Sequence, residues 1–365
     1  MAAIGRILLI ILVIAVVAAG AGLFLLPKEA TRTETITVAR PAESVYALIA
    51  SAPAGQAIGE GATQTVRTAT PPHDGQPGTV VADIAYADGT TAVATYTVAP
   101  EGEGSTVNVE IVQTLATGLL DNPMARVQAL TASPVAPLIE AASTQIETDA
   151  NALPAARFSS LAYEIVTVPS RPFLFNQNCS PQDAGQIKEA VAQSLLVLRP
   201  LLTRYRLTQD GPPVAVETSW ENNQYCFQIG YAFTGTPPRI YAGGTVGATP
   251  AGTAIRVVFN GPEEQVLPIY DQMEALIAAA RLQIGRSFEI YFDDPTRDGG
   301  SVQREIYYLV TGDTSRLAQV APSAAMPAAA PAPAPAPAPA DAPAPAAPAA
   351  APAPAAPAAT PAPAQ

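Results

Sequence analysis

Histidine occurs once in the 365 residues, tryptophan once and cysteine twice. The lone histidine, His73, sits in the turn-rich stretch "PPHDG". Without histidine partners, Cys179 and Cys226 cannot complete the four-ligand shell that zinc takes. No metal and no cofactor are therefore expected. Basic residues are also scarce, 19 against 31 acidic ones, for a net charge of −12. Nucleic-acid binding needs clustered Lys and Arg, so it is excluded as a function class. There is no Gly-rich phosphate loop, no Gly-x-Ser-x-Gly elbow and no His-Glu-x-x-His helix, so the chemistries those motifs carry have no support here.

What is present begins with "ILLIILVIAVVAAGAGLFLL", residues 7–26 without a charge, bounded by Arg6 and Lys28. At 1.5 Å per residue it covers roughly 30 Å of hydrocarbon. A cleaved signal peptide is the rival reading, with Ala18–Gly22 as the small-residue site. Against it, "LFLL" carries the apolar stretch past any cut there. The expectation is an uncleaved single-pass anchor, residues 1–30, in an inner membrane. Arg6 on one side and Lys28 with Arg32 on the other barely decide orientation. A periplasmic placement is expected from the amino-terminal position and from two cysteines that such a compartment could pair. At the other end, residues 313–365 are expected to be a disordered tail. From about Ser323 it is Ala and Pro, which favours extended polyproline II, as a spacer or as inert chain.

Residues 31–158 read as a first domain. In "TETITVARPAESVYALIA", Ile36 and Val38 alternate with Thr35 and Thr37 as in a half-buried strand, and Pro41 suits the first turn of a helix. Three antiparallel strands follow, punctuated by "DGT" and "GEGS". A long helix then carries Val127, Leu130, Val135, Leu138, Ile139, Ala142 and Ile146 at helical spacing, bent or broken at Pro134 and Pro137. On "ETITVARPAESVYALIAS" and "DNPMARVQAL…PLIEAASTQIE", this segment resembles the START-like (SRPBCC, polyketide-cyclase/dehydrase) domains. The resemblance implies a helix-grip fold, with a curved sheet around the final helix and an apolar cavity. "SAPAGQAIGEGATQTV" departs from the family by lacking any aromatic residue.

Residues 159–312 show an internal repeat. Each half reads as strand, helix and hairpin, so the class expected for the whole chain is α+β. Ser180 and Pro181 are the expected start of the first helix, Asn260 and Pro262 of the second. The first hairpin is expected to turn at Glu221–Asn223. The stretch "FNGPEEQVLPIYDQMEALIAAARLQIGRSFEIYFDDP", with "LRPLLTRYRLTQDGPPVAVETSW" in the first repeat, resembles the GyrI-like effector-binding domains. That resemblance implies an aromatic-lined pocket at the pseudo-twofold axis, often with a glutamate facing a cationic or electrophilic ligand.

"SFEIYFDDP" places that carboxylate. Glu289 and Tyr291 share one face of their strand, and Phe288, Ile290 and Phe292 take the other. The apolar face is expected to hold the two helices, leaving Glu289 and Tyr291 for the pocket. Trp220, Tyr225, Phe227 and Tyr231 would add aromatic surface from the facing repeat. A lipophilic cation would gain from the rings and from the carboxylate. The alternative is that Glu289 lies on a solvated face. Asp293 and Asp294 read as a turn before Pro295, and Tyr241 and Tyr307 as pocket or core. Cys179 and Cys226 are a candidate disulfide, or else two independent thiols. Three functions follow: a membrane-anchored protein that binds an amphipathic small molecule, with a cation favoured; a hydrolase of electrophilic small molecules using Glu289 with Tyr291; or a cell-envelope scaffold.

Overall fold

The computed structural model describes residues 26–73, 75–116, 121–237, 243–295 and 301–324. The predicted anchor, residues 1–30, lies outside the described residues up to residue 25, as do Tyr241 and the Ala/Pro tail from residue 325; its last two residues, Glu29 and Ala30, belong to the first strand instead. Among the described residues no helix is long and apolar enough to cross a membrane.

Alternation builds the first sheet. It runs through β1 (Glu29–Val38), β2 (Gln56–Ala57), β3 (Ala62–Thr70), β4 (Gly78–Tyr86), β5 (Thr91–Glu101) and β6 (Gly104–Thr114), antiparallel in the order β1-β6-β5-β4-β3-β2. Val80, Ala82 and Ile84 on β4, Ala94, Tyr96 and Val98 on β5, and Val107, Val109 and Ile111 on β6 all point inward and are buried. Helix α1 (Ala42–Ala50) follows Pro41 and packs on that face. Strand β2 and the start of β3 come from the stretch that lacks aromatic residues.

The expected long helix is two helices, α2 (Pro123–Thr131) and α3 (Ala136–Asn151). Ala132 adopts an extended conformation (φ −144°, ψ 118°) and ends α2 two residues ahead of Pro134, whose missing N–H and ring a continuing helix could not accommodate. Only the second part joins the core: Val135, Leu138, Ile139, Ala142 and Ile146 are buried, but Val127 and Leu130 are exposed. The interior of this sheet is filled by side chains. A cavity of about 30 Å³ remains near Tyr96, Ile146 and Arg281. That is room for a water, not for a ligand.

The second sheet has eight strands: β7 (Glu164–Val168), β8 (Pro172–Pro181), β9 (Thr208–Glu221), β10 (Gln224–Thr234), β11 (Thr245–Ala248), β12 (Gly252–Pro262), β13 (Gln283–Tyr291) and β14 (Ser301–Thr311). Their order, β11-β8-β10-β9-β13-β14-β12-β7, is symmetric about the β9–β13 pair. Helix α4 (Ala184–Arg204) belongs to the first half and α5 (Val266–Ala279) to the second. The duplication extends to backbone detail. Each helix ends in a left-handed arginine, Arg206 (φ 56°) and Arg281 (φ 55°), followed by a leucine. Each hairpin ends in a left-handed glycine, Gly235 and Gly312, which sits against that same leucine, Leu207 or Leu282.

Both helices start later than expected. Ser180 and Pro181 belong to β8, and Asp183 caps α4 by accepting the Gln186 N–H at 2.9 Å. Asn260 and Pro262 belong to β12, and a 3₁₀ turn (Glu263–Gln265) precedes α5. Pairing explains both: β8 stays on the β10 ladder as far as Pro181, and β12 stays on β14 as far as Pro262. The first hairpin turns at Asn222 and Asn223, both left-handed, as a type I′ connection requires.

The tail begins later than residue 313. A short helix, α6 (Leu317–Val320), buries Leu317, Val320 and Ala321 in the core of the first sheet. Tyr163 donates its phenol hydrogen bond to the Ala321 carbonyl at 2.5 Å. That core runs on through α1 into α5. Ser51 Oγ donates to the Ala279 carbonyl at 3.0 Å, and Arg281 pairs with Asp149 at 3.0 Å. Residues 26–324 thus lie within one compact unit.

Candidate functional site

Register decides which face of the second sheet each side chain takes. Glu289 pairs with Ala215 and Ile306, Tyr291 with Arg304, and Phe227 with Glu217. All of these lie on the face that carries α4 and α5. The expectation was the reverse, with the helices on Phe288, Ile290 and Phe292. The helices pack on the Glu289 face, whose neighbours supply a buried apolar surface: Phe227, Ile229, Tyr231 and Phe233 under α4, and Ile255, Val257, Ile306 and Tyr308 under α5. Phe292 lies past the end of β13 and is 48% exposed.

Glu289 is therefore largely covered and already has partners. Tyr270 of α5 donates to Oε1 at 2.5 Å, and Arg304 Nη1 lies 3.3 Å from Oε2. Arg304 also bonds Glu263 at 3.0 Å and sits 4.8 Å over the Tyr291 ring. The side chains of Glu289 and Arg304 are only 12% and 10% exposed. Around them Ser287 donates to Glu217 at 2.8 Å, Tyr308 donates to Glu274 at 2.6 Å, and Tyr270 meets Tyr308 edge-on. Burial first, then the Glu289 charge, pushes the Tyr270 and Tyr291 phenols well above their usual range. The cation expected from a ligand is thus supplied by the chain itself, and each Glu289 oxygen already has a partner.

The other predicted residues separate. Tyr225 stacks on Phe227 at 5.0 Å, and Trp220 leans on Tyr225 at 4.8 Å. Phe227 and Tyr231 are core residues under α4, whereas Trp220 stands 49% exposed at the strand end. Asp293 accepts the Gln303 N–H at 3.2 Å, which closes the turn read at that point. Cys179 and Cys226 face each other across β8 and β10 and form a disulfide.

The helix-free face holds what the sequence reading missed, a cavity of about 260 Å³. Val214, Phe288, Ile290 and Tyr307 form its floor, and Val166, Val168 and Pro169 its rim. Arg171, Thr249 and Arg256 supply the polar groups. Phe288 and Tyr307 are stacked at 4.5 Å and nearly parallel. Arg256 is held by Glu164 at 2.8 Å and lies 3.6 Å from Glu305, and Arg171 lies 3.5 Å from Asp210. The charges on the wall are thus matched internally, and the remaining surface is mostly apolar and aromatic. The readable sign of the other face was Arg304, the one charge in the inward phase of Val302, Arg304, Ile306 and Tyr308. The Thr-Gly pairs that end the two hairpins align Arg304 with Phe227 of the first repeat.

Burial also sets the alkaline limit of the fold. Tyr46 and Tyr163 are both pushed up to about 12 by burial, and Tyr96, Tyr307 and Tyr308 are raised further. A raised phenol contributes stability that is complete below its unfolded value, near 10, and is lost as pH climbs towards the folded one. The expected result is a protein that loses no stability to these phenols up to about pH 10 and loses it steeply above. Tyrosinate absorbance should then rise together with loss of structure. A smooth titration of most tyrosines near pH 10 in the folded state would contradict this.

Comparison with models of known families and with curated proteins found no match. Among solved structures, the EcmrR C-terminal domain aligns at 15% identity over 41% of this chain and 96% of its own, with a TM-score of 0.34. A hydrolase from Listeria innocua aligns at 13% identity over 42% of this chain and 93% of its own, with a TM-score of 0.27. The Zhui aromatase/cyclase from a Streptomyces species aligns at 17% identity over 33% of this chain and 93% of its own, with a TM-score of 0.23. No conclusion about this chain's chemistry follows from likenesses at that level, so its own side chains must supply it.

Proposed function

We propose that the chain is a membrane-anchored protein that binds a small, largely apolar molecule on the helix-free face of its second sheet. One observation carries the reading: a cavity of about 260 Å³ whose floor is Val214, Phe288, Ile290 and Tyr307. Ligand sites are typically concave and mostly apolar, with a few polar groups to fix orientation, and this volume lies near the lower end of their range. Arg171 and Arg256 are already matched by carboxylates, so a neutral or weakly polar flat molecule fits better than a bare ion. Glu289 does not favour the cationic ligand or the hydrolase reading, because Arg304 and Tyr270 hold it. The apolar run at residues 7–26 supports attachment to a membrane, and the Cys179–Cys226 disulfide supports an oxidising compartment.

The test is a thermal-shift screen of flat apolar compounds on residues 26–324. A true ligand at one hundred times its Kd stabilises the fold by about 2.7 kcal/mol. Ile290→Trp should fill the cavity, abolish that shift and leave the unliganded protein folded. An undiminished shift in the folded variant would place the ligand elsewhere.

A further inference from the structure

Helix α2 is inside out. Its buried residue is Arg126, while Met124 is 68% exposed, Val127 46% and Leu130 62%. At 3.6 residues per turn, Pro123, Met124, Val127, Leu130 and Thr131 fall within an arc of about 120°, and none carries a charge. Core packing does not explain this stripe, because the helix turns it away from the protein. What the helix holds instead is the entry point of the chain. Arg126 Nη2 donates to the Leu26 carbonyl at 2.7 Å, and Nε donates to that of Pro27 at 3.1 Å. Those carbonyls stand where the apolar run of residues 7–26 ends.

From this juxtaposition we infer that the outward face of α2 lies on the phospholipid surface beside the anchor, with Met124, Val127 and Leu130 inserted at the headgroup–acyl boundary. The inference rests on the membrane attachment proposed above. If residues 7–26 span the bilayer, Leu26 and Pro27 emerge at its surface. A helix hydrogen-bonded to their carbonyls must lie at the same depth. There an apolar outer face is favourable, whereas in water it is not. Contact with a second copy explains the stripe less well, since three side chains fall far short of the ~800 Å² per partner that a stable dimer buries. Arg126 would also fix the angle at which the folded unit stands over the membrane, since it leaves little free chain between anchor and body.

The experiment uses the full chain reconstituted into phosphatidylcholine vesicles. A polarity-sensitive fluorophore is attached to Leu130→Cys, to Met124→Cys, and to Leu196→Cys as a control. Leu196 is 77% exposed on α4. The native cysteines are bonded to each other, so only the introduced thiol reacts. The expected result is blue-shifted emission at positions 124 and 130, quenched several-fold more by acyl-brominated lipid than at position 196. If protein that resists alkaline carbonate extraction shows labels at 124 and 130 as wet as that at 196, the inference is overturned and the anchor stands. If the protein washes off in carbonate, the anchor reading fails and the inference fails with it. Shielding that tracks protein-to-lipid ratio instead of lipid contact also overturns it.

Discussion

Glu289→Gln is expected to destabilise the fold by about 3 kcal/mol, the scale on which buried ion pairs lose stability when one partner is removed. The substitution keeps the shape and deletes the charge. Arg304 then remains 10% exposed, with Glu263 as its one remaining carboxylate contact of those described above. Glu263 is 40% exposed and better solvated, so it offsets only part of the loss. Tyr270 keeps an acceptor in the amide oxygen but loses a charge-assisted bond. The double variant Glu289→Gln with Arg304→Met separates the causes. It removes both charges from the interior, so it should be more stable than Glu289→Gln alone. Chemical denaturation of the parent and the variants measures this. A Glu289→Gln midpoint within experimental error of the parent would mean that the pair contributes nothing to folding.

That outcome matters because the sequence located Glu289 correctly within its strand and still misjudged its surroundings. Alternation places Glu289 with Tyr291 and opposite Phe288 and Ile290, and the register agrees. Alternation is symmetric, however, and does not say which face the helices cover. The answer lay in residues far along the chain. Phe227, Ile229 and Tyr231 of β10 set the face for α4, and Arg304 of β14 supplies the counter-ion. The same limit applies to α2. Its spacing reads with α3 as one long helix bent or broken at Pro134 and Pro137; the break is there, but only tertiary packing shows that the stripe of α2 faces outward. Helix starts were misplaced for a related reason: Ser180, Pro181, Asn260 and Pro262 have good local chemistry for a helix start, and strand pairing overrides it. What was readable were features fixed locally. These include the hairpin turn within Glu221–Asn223, the three strands of residues 78–114, and the duplication. The cavity was not readable, because its wall draws on six separated segments, from Val166 to Tyr307.

Removing the disulfide should have the largest effect. Cys179 and Cys226 are 47 residues apart in sequence and occupy facing positions on β8 and β10. Closing a loop of that length lowers the entropy of the unfolded chain, worth about 4 kcal/mol on chain-entropy grounds. The closed segment contains all of α4, β9 and their turn, so the bond restricts most of the first repeat before any of it folds. In the folded state the β8–β10 ladder continues on both sides of the bond, from Pro181 to Phe173, so Cys179→Ser with Cys226→Ser should leave the native register intact. The loss should therefore appear in stability and not in structure. It should also appear throughout the unit. The core that joins α1 to α5 couples the two sheets, so probes in either should report one shifted transition and not two. Denaturation of the parent, with and without a reductant, and of the double variant checks both points. If the midpoints coincide, the bond does not constrain the unfolded chain. If only the second sheet unfolds earlier, the shared core is too weak to couple the sheets. If both cysteines alkylate in the folded, unreduced protein, the bond itself is refuted, and with it the support for an oxidising compartment.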